Sequence, residues 1–369
     1  MIFRTLSYLL ICFITFFQKK LDNANFILIN LYVNDVTDMK NYYSLLNSDW
    51  NSALEQLFGH YLIYAPLKTG ESIDYELIQN EDIQEIIYNV PKPTTPLKTF
   101  FLPIKENLTS ETPDSKRIII GTPNCDIHGL NILDEIYLDK DYIDYAYQLR
   151  RENTILISSS CFETLEHCHC MAYGVKPFSK EIADISLSHL DKKTHLEILS
   201  EKGEKLISEL KNIVSISNST ESEVKDIELK QHKIENEVIA KNTGLPDYKK
   251  TGKIVDQALN KTWIKYSSNC VSCGACATIC PTCTCFLLID KPNFEKVRQL
   301  DACQYPGFER VAGGEDALGE LPKRFKNRYF CKYVWKPQKF KSLVCTGCGR
   351  CIEACIGKIN KNELFRELA

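Results

Sequence analysis

The stretch "CVSCGACATICPTCTC", Cys270–Cys285, places six cysteines in sixteen residues. The first four stand at Cys270, Cys273, Cys276 and Cys280, and Pro281 follows them. The same spacing returns at Cys345, Cys348, Cys351 and Cys355, with Ile356 in the place of the proline. A loop wound around one body offers three thiols at three-residue intervals, while a fourth, on the helix that follows, points away. Gaps this short suit thiolates holding metal in a reducing compartment, not a disulfide framework.

In ferredoxin-type loops of this spacing, the fourth cysteine ligates the other cluster. Crossed ligation of two [4Fe–4S] clusters is therefore expected. Cys270, Cys273 and Cys276 would share one with Cys355; Cys345, Cys348 and Cys351 would share the second with Cys280. Paired zinc sites need four ligands each without exchange and suit the pattern poorly. Gly274 and Gly349 lie inside the loops, where the backbone must turn freely close to sulfur. Residues 281–344 are too long an insert for a compact ferredoxin hairpin. Within them "DKPNFEKVRQLDACQ" and "ALGELPKRFKNRYFCKYV" read as helical, so residues 261–369 are expected to form a mostly helical dicluster ferredoxin-type domain. Cys283, Cys285, Cys303 and Cys331 are left unassigned.

Upstream, the pattern is that of an α+β fold whose N-terminal α/β domain covers residues 40–195. "SALEQLFGH" reads as a short amphipathic helix, "YLIYAPLKTGESIDYELI" as a hairpin and "VPKPTTPLKTFFLP" as an extended connection. "KRIIIGT" (116–122) and "TILISSS" (154–160) are continuous apolar runs, as buried parallel strands should be. Between them "DIHGLNILDEIYLDKDYIDYAYQLRREN" has helical spacing, which makes a right-handed βαβ unit. Residues 196–260 are dense in charges of both signs and read as a solvated helical linker.

The βαβ unit carries a further expectation. Cys125 lies just past one strand's carboxyl end and Cys161 just past the other's. Neighbouring strand ends are about 5 Å apart, and open α/β sheets bind ligands just outside such ends. Cys168 and Cys170 follow in a loop short enough to fold back. Four thiolates at one edge suit zinc or a third [4Fe–4S] cluster, and among electron carriers the cluster is preferred.

The balance of 45 basic against 48 acidic residues gives no sign of a nucleic-acid partner. Seventeen cysteines in 369 residues lie below the density of a disulfide-stapled mini-protein. No dinucleotide fingerprint, Walker loop or nucleophile elbow is found. His128, His167 and His169 are acid/base candidates, though a histidine near cysteines is more often a hydrogen-bonding neighbour.

Several stretches carry a family likeness: "NKTWIKYSSNCVSCGACATICPTCTCF", "LDACQYPGFERVAGGEDALGELPKRFKNRYFCKY", "CTGCGRCIEAC" and, upstream, "GTPNCDIHGLNILDEIYLDKDYIDYAYQLRREN" and "CFETLEHCHCMAYG". They resemble the iron–sulfur beta subunits of cytosolic sulfhydrogenases and are similar also to the A subunit of anaerobic sulfite reductase. Asn124 stands where the family usually has Arg-Pro, and "GGEDALGE" replaces a "GGHN"-like stretch. The resemblance implies a cytoplasmic subunit that relays electrons between a flavin-containing reductase subunit, which handles a nicotinamide cofactor, and a hydrogenase, sulfite or sulfur reductase subunit. An iron–sulfur reductase acting alone on a small molecule is the alternative. No membrane attachment is implied.

The likeness begins near Met39. Before it, "MIFRTLSYLLICFITFFQKK" has an apolar run shorter than the about 20 residues of a spanning helix and no small-residue cleavage site. A mis-set start with Met39 as the working one is the expected reading of residues 1–38. A buried or interfacial apolar segment and an export signal are the alternatives.

Overall fold

The computed structural model describes residues 41–113 and 115–369; the apolar leader and Met39 lie outside them. Strand β1 (Tyr42–Leu46) runs into helix α1 (Asn47–Leu57), and β2 (Leu62–Thr69) and β3 (Ser72–Leu77) form the expected hairpin. The short β4 (Lys105–Asn107) precedes β5 (Arg117–Thr122). Two helices, α2 (Asn124–Tyr137) and α3 (Tyr145–Glu152), fill the crossover to β6 (Thr154–Ser159), where the spacing suggested one. Then come β7 (Ile185–His189), β8 (Lys193–Ile198), α4 (Glu201–Leu210), β9 (Ser217–Asn218) and the long α5 (Glu221–Lys241).

Nine strands less β4 make an eight-stranded sheet in the order β3-β2-β5-β6-β7-β8-β1-β9. Its centre, β2-β5-β6-β7, is parallel, and its flanks are antiparallel. The unbroken Ile118-Ile119-Ile120 run has a simple cause, because both faces of the sheet are covered. Ile118 and Ile120 pack with Trp50 and Leu54 of α1 and Leu206 and Leu210 of α4. Ile119 faces Leu130 and Leu133 of α2 with Tyr147 of α3. Each such fully buried isoleucine contributes about 1.5–3 kcal/mol.

Helices α6 (Tyr248–Gln257), α7 (Asn260–Ser267) and the single-turn α8 (Ala275–Thr278) lead to strands β10 (Phe286–Asp290) and β11 (Lys296–Leu300). Helix α9 (Leu321–Phe330) continues through a π-helical turn, Cys331–Trp335, into α10 (Lys336–Phe340). The short α11 (Arg350–Glu353) and α12 (Lys361–Leu368) close the chain. Trp263, Phe325, Tyr329, Tyr333 and Phe365 make an aromatic core among these helices.

The helical reading of "DKPNFEKVRQLDACQ" is overturned. Lys296–Leu300 is a strand between β10 and β4. The physical reason is long-range. Arg298, inside this charged run, is buried against Glu106 of β4 (2.6 Å) and also pairs with Asp144. Glu106 takes Arg150 as well. The second sheet therefore joins segments almost 200 residues apart. No helix among the described residues is long and apolar enough to cross a membrane.

Candidate metal centres

Every cysteine among the described residues is a free thiol. Cys270, Cys273, Cys276 and Cys355 line one cavity, with Cys351 at its wall. Gly274 and Gly349 each precede the one-turn helix of their loop with positive φ, 72° and 82°, which an L side chain rarely adopts. Burial raises the Cys276 thiol to about 11; Arg328 opposes this, and Cys351, Cys270 and Cys355 add to it.

The second loop is ringed by cations. Lys332, buried at the π-helical turn, donates to Cys280 Sγ at 3.1 Å and to Thr282 Oγ1 at 2.7 Å. A hydrogen bond from Cys283 is the largest influence lowering the Cys280 thiol, and Lys332 and Lys98 lower it further. Burial alone would raise Cys345, but Lys361 and Lys332 outweigh it. Burial raises Cys348 to about 12, with Cys280 and Cys351 among its charged neighbours and Arg350 opposing. The helical ladder widens at the turn that carries Lys332, a distortion found often at functional sites.

Cys125, Cys161, Cys168 and Cys170 line a third cavity, and Cys348 of the second loop shares its wall. Strands β5 and β6 are indeed parallel neighbours, so their carboxyl ends deliver Cys125 and Cys161 to one edge. Burial pushes both thiols well up. Nothing in the charge pattern of residues 221–241 announces what α5 does here. Its Ile234 and Val238 cover Cys170, and Asn242 donates to the Cys168 carbonyl at 2.8 Å.

The third cavity touches the second loop backbone to backbone. His169 N donates to Gly347 O at 2.9 Å. A Cβ on Gly347 would overlap the His169 carbonyl and the Cys170 backbone, and one on Gly349 would overlap the His167 carbonyl. Arg350 and Asp126, 1% and 0% exposed, clamp the same junction through two hydrogen bonds. His169 is sealed there and held neutral by burial and by Lys361. Burial also lowers His128, and His167 lies 3.9 Å from Glu166. Among the described residues, no three His, Cys, Asp or Glu donors converge tightly enough for a single metal ion.

Seven buried cations surround these thiols: Lys92, Lys98, Arg324, Arg328, Lys332, Arg350 and Lys361. Lys92 has Glu353 and Arg350 has Asp126. Lys98 donates to the carbonyls of Ala277 and Cys283, and Arg328 to that of Cys276. Buried positive charge on neutral acceptors is costly. Anionic thiolate-bound clusters would offset it, so the donor set and the charge both suit iron–sulfur clusters.

Residues 269–359 match the 4Fe-4S dicluster domain family. Over 106 residues, 27% of this chain and 70% of the relative, the sequence is 30% identical to the uncharacterized protein V12 of Sputnik virophage. Over 322 residues, 83% of this chain and 92% of the relative, it is 31% identical to the sulfhydrogenase 2 subunit beta of Pyrococcus furiosus. A likeness over 83% of the chain and 92% of the relative settles the family: the chain belongs to the sulfhydrogenase beta subunits, and it carries a 4Fe-4S dicluster domain.

Proposed function

We propose that this chain is the electron-relay subunit of an oxidoreductase, with three [4Fe–4S] centres in a row. Cys270, Cys273, Cys276 and Cys355 hold the first, Cys345, Cys348, Cys351 and Cys280 the second. Cys125, Cys161, Cys168 and Cys170 hold the third. The carrying observation is the contact between the Cys168–Cys170 loop and the Gly347–Gly349 backbone, with Cys348 facing the third cavity. Bound clusters supply one-electron steps. The chain's residues hold them close, exclude water and set their charge.

The partners proposed are a flavin-containing reductase subunit and a hydrogenase, sulfite or sulfur reductase subunit, in a reducing cytoplasm. A second reading, a reductase acting alone, is favoured by one feature. An open cleft lined by Tyr173, Lys249, Lys253, Tyr333 and Lys341 reaches Cys345. Anaerobic co-purification separates the two. A flavoprotein and a catalytic subunit retained with the chain support the relay, whereas steady turnover by the isolated chain overturns it.

Iron counting tests the third centre. Three clusters give about twelve irons per chain, and a structural zinc beside two clusters gives about eight irons with one zinc. About eight irons, no zinc and free alkylation of the four N-terminal thiols would end the proposal for that site.

Lys332 offers a check on the second. Its buried ammonium favours the more negative, reduced state of a cluster held by Cys280. Lys332→Met should therefore lower that cluster's potential in an EPR-monitored titration and leave the first nearly unchanged. An upward shift would contradict the assignment.

A further inference from the structure

Two cysteines outside all three donor sets face each other. Cys285 ends the "CPTCTC" run immediately before β10, and Cys303 follows β11 by three residues. The hairpin register pairs Phe286 with Leu300, and Asp301 N donates to Cys285 O at 2.9 Å. This sets the two cysteines side by side at the foot of the hairpin, each the largest influence on the other's thiol. They are unequal. Cys303 is buried, with Gln304 Nε2 donating to its sulfur at 3.8 Å, whereas Cys285 is partly exposed beside the exposed Phe286 and Leu287.

We propose that Cys285 and Cys303 form a thiol–disulfide exchange centre, distinct from the cluster ligands, whose substrate class is a small-molecule disulfide. The accessible partner attacks and the buried one resolves. Cys285 thiolate attacks one sulfur of the disulfide, its S–S bond breaks, and one thiol leaves. Cys303 then gives up its proton and attacks Cys285 Sγ of the mixed disulfide, expelling the second thiol. Two protein thiols are oxidised by two electrons in all, and the one disulfide is reduced by the same two.

Two further observations support the pair. Cys303 is the largest influence lowering the Cys285 thiol, and Lys336 and Lys98 lower it further, which gives the accessible sulfur the thiolate character an attacking thiol needs. The position is also specific. Gln304, bonded to Cys303, lines the first cluster cavity, and Cys283 lies among the charged neighbours of Cys303 while touching Cys280. A two-electron dithiol thus sits between two proposed one-electron sites. This inference does not depend on the number of clusters or on the identity of the partner subunits.

The test uses the full cluster-loaded chain under anaerobic conditions, with hydroxyethyl disulfide as the probe. After quenching with N-ethylmaleimide and digestion, mass spectrometry should find a Cys285–Cys303 linked peptide with iron content unchanged. Cys303→Ser should trap the hydroxyethyl adduct on Cys285, and Cys285→Ser should show no adduct at Cys303. The wild-type peptide map needs no variant to fold. Two results would overturn the proposal. One is a pair that remains reduced at probe concentrations that saturate free cysteine. The other is loss of about one cluster's iron from either serine variant, which would make these residues ligands.

Discussion

Cys280→Ala should remove the cluster of the C-terminal loop, about four irons per chain, although Cys280 itself belongs to the N-terminal motif. The expectation follows from exchange of fourth ligands, and the position of Cys280 supports it. Its sulfur lies against Lys332, whose charge also acts on Cys345, and it is a charged neighbour of Cys348. The cavity of Cys270, Cys273 and Cys276 instead contains Cys355. The measurement is iron per chain with EPR of the reduced protein. The signal of the cluster held by Cys345, Cys348 and Cys351 should vanish while the other persists. Cys355→Ala should do the reverse. Loss of only the first loop's signal in Cys280→Ala would show uncrossed ligation.

Breaking the Arg350–Asp126 pair should cost about 3–5 kcal/mol, the usual penalty for stranding a buried charge. Arg350 donates to Asp126 Oδ1 at 2.5 Å and Oδ2 at 2.8 Å, and to the Pro93 carbonyl at 3.0 and 2.8 Å. Asp126 Oδ2 also accepts from Leu97 N at 3.2 Å. Neither side chain has water to fall back on. Arg350→Met and Asp126→Leu should each lower the urea midpoint strongly, and the double variant should recover much of the loss because no bare charge remains. Equal, additive losses would show that the two act independently. Because Asp126 adjoins Cys125 and Arg350 adjoins Cys351, the single variants should also loosen the junction between the second and third cavities.

The cavities and the cations around them differ in how openly the chain displays them. Cys270, Cys273 and Cys276 read as one group because a single loop holds them, so spacing is geometry. Cys125 and Cys161 could be brought together from the strand pattern, since parallel neighbours end at the same edge. Lys332 and Arg328 could not be found this way. In "KRFKNRYFCKY" they look like any solvated helical charges, and only burial makes them significant. The misread strand β11 failed for a similar reason. Its buried Arg298 finds its partners on β4 and near α3, too far along the chain for any local pattern to register.

By itself, the sequence determined the two ferredoxin-type loops, the strand–helix–strand unit of β5 and β6, and the family. Each is carried by a local spacing or by an unbroken apolar run. Tertiary structure alone decided that Gly347 and Gly349 admit the Cys168–Cys170 loop, that α5 covers the third cavity, and that Cys285 and Cys303 lie side by side at the foot of a hairpin. These depend on close approach between distant segments, where the absence of a Cβ or the burial of one charge matters. No spacing along a chain encodes such distances.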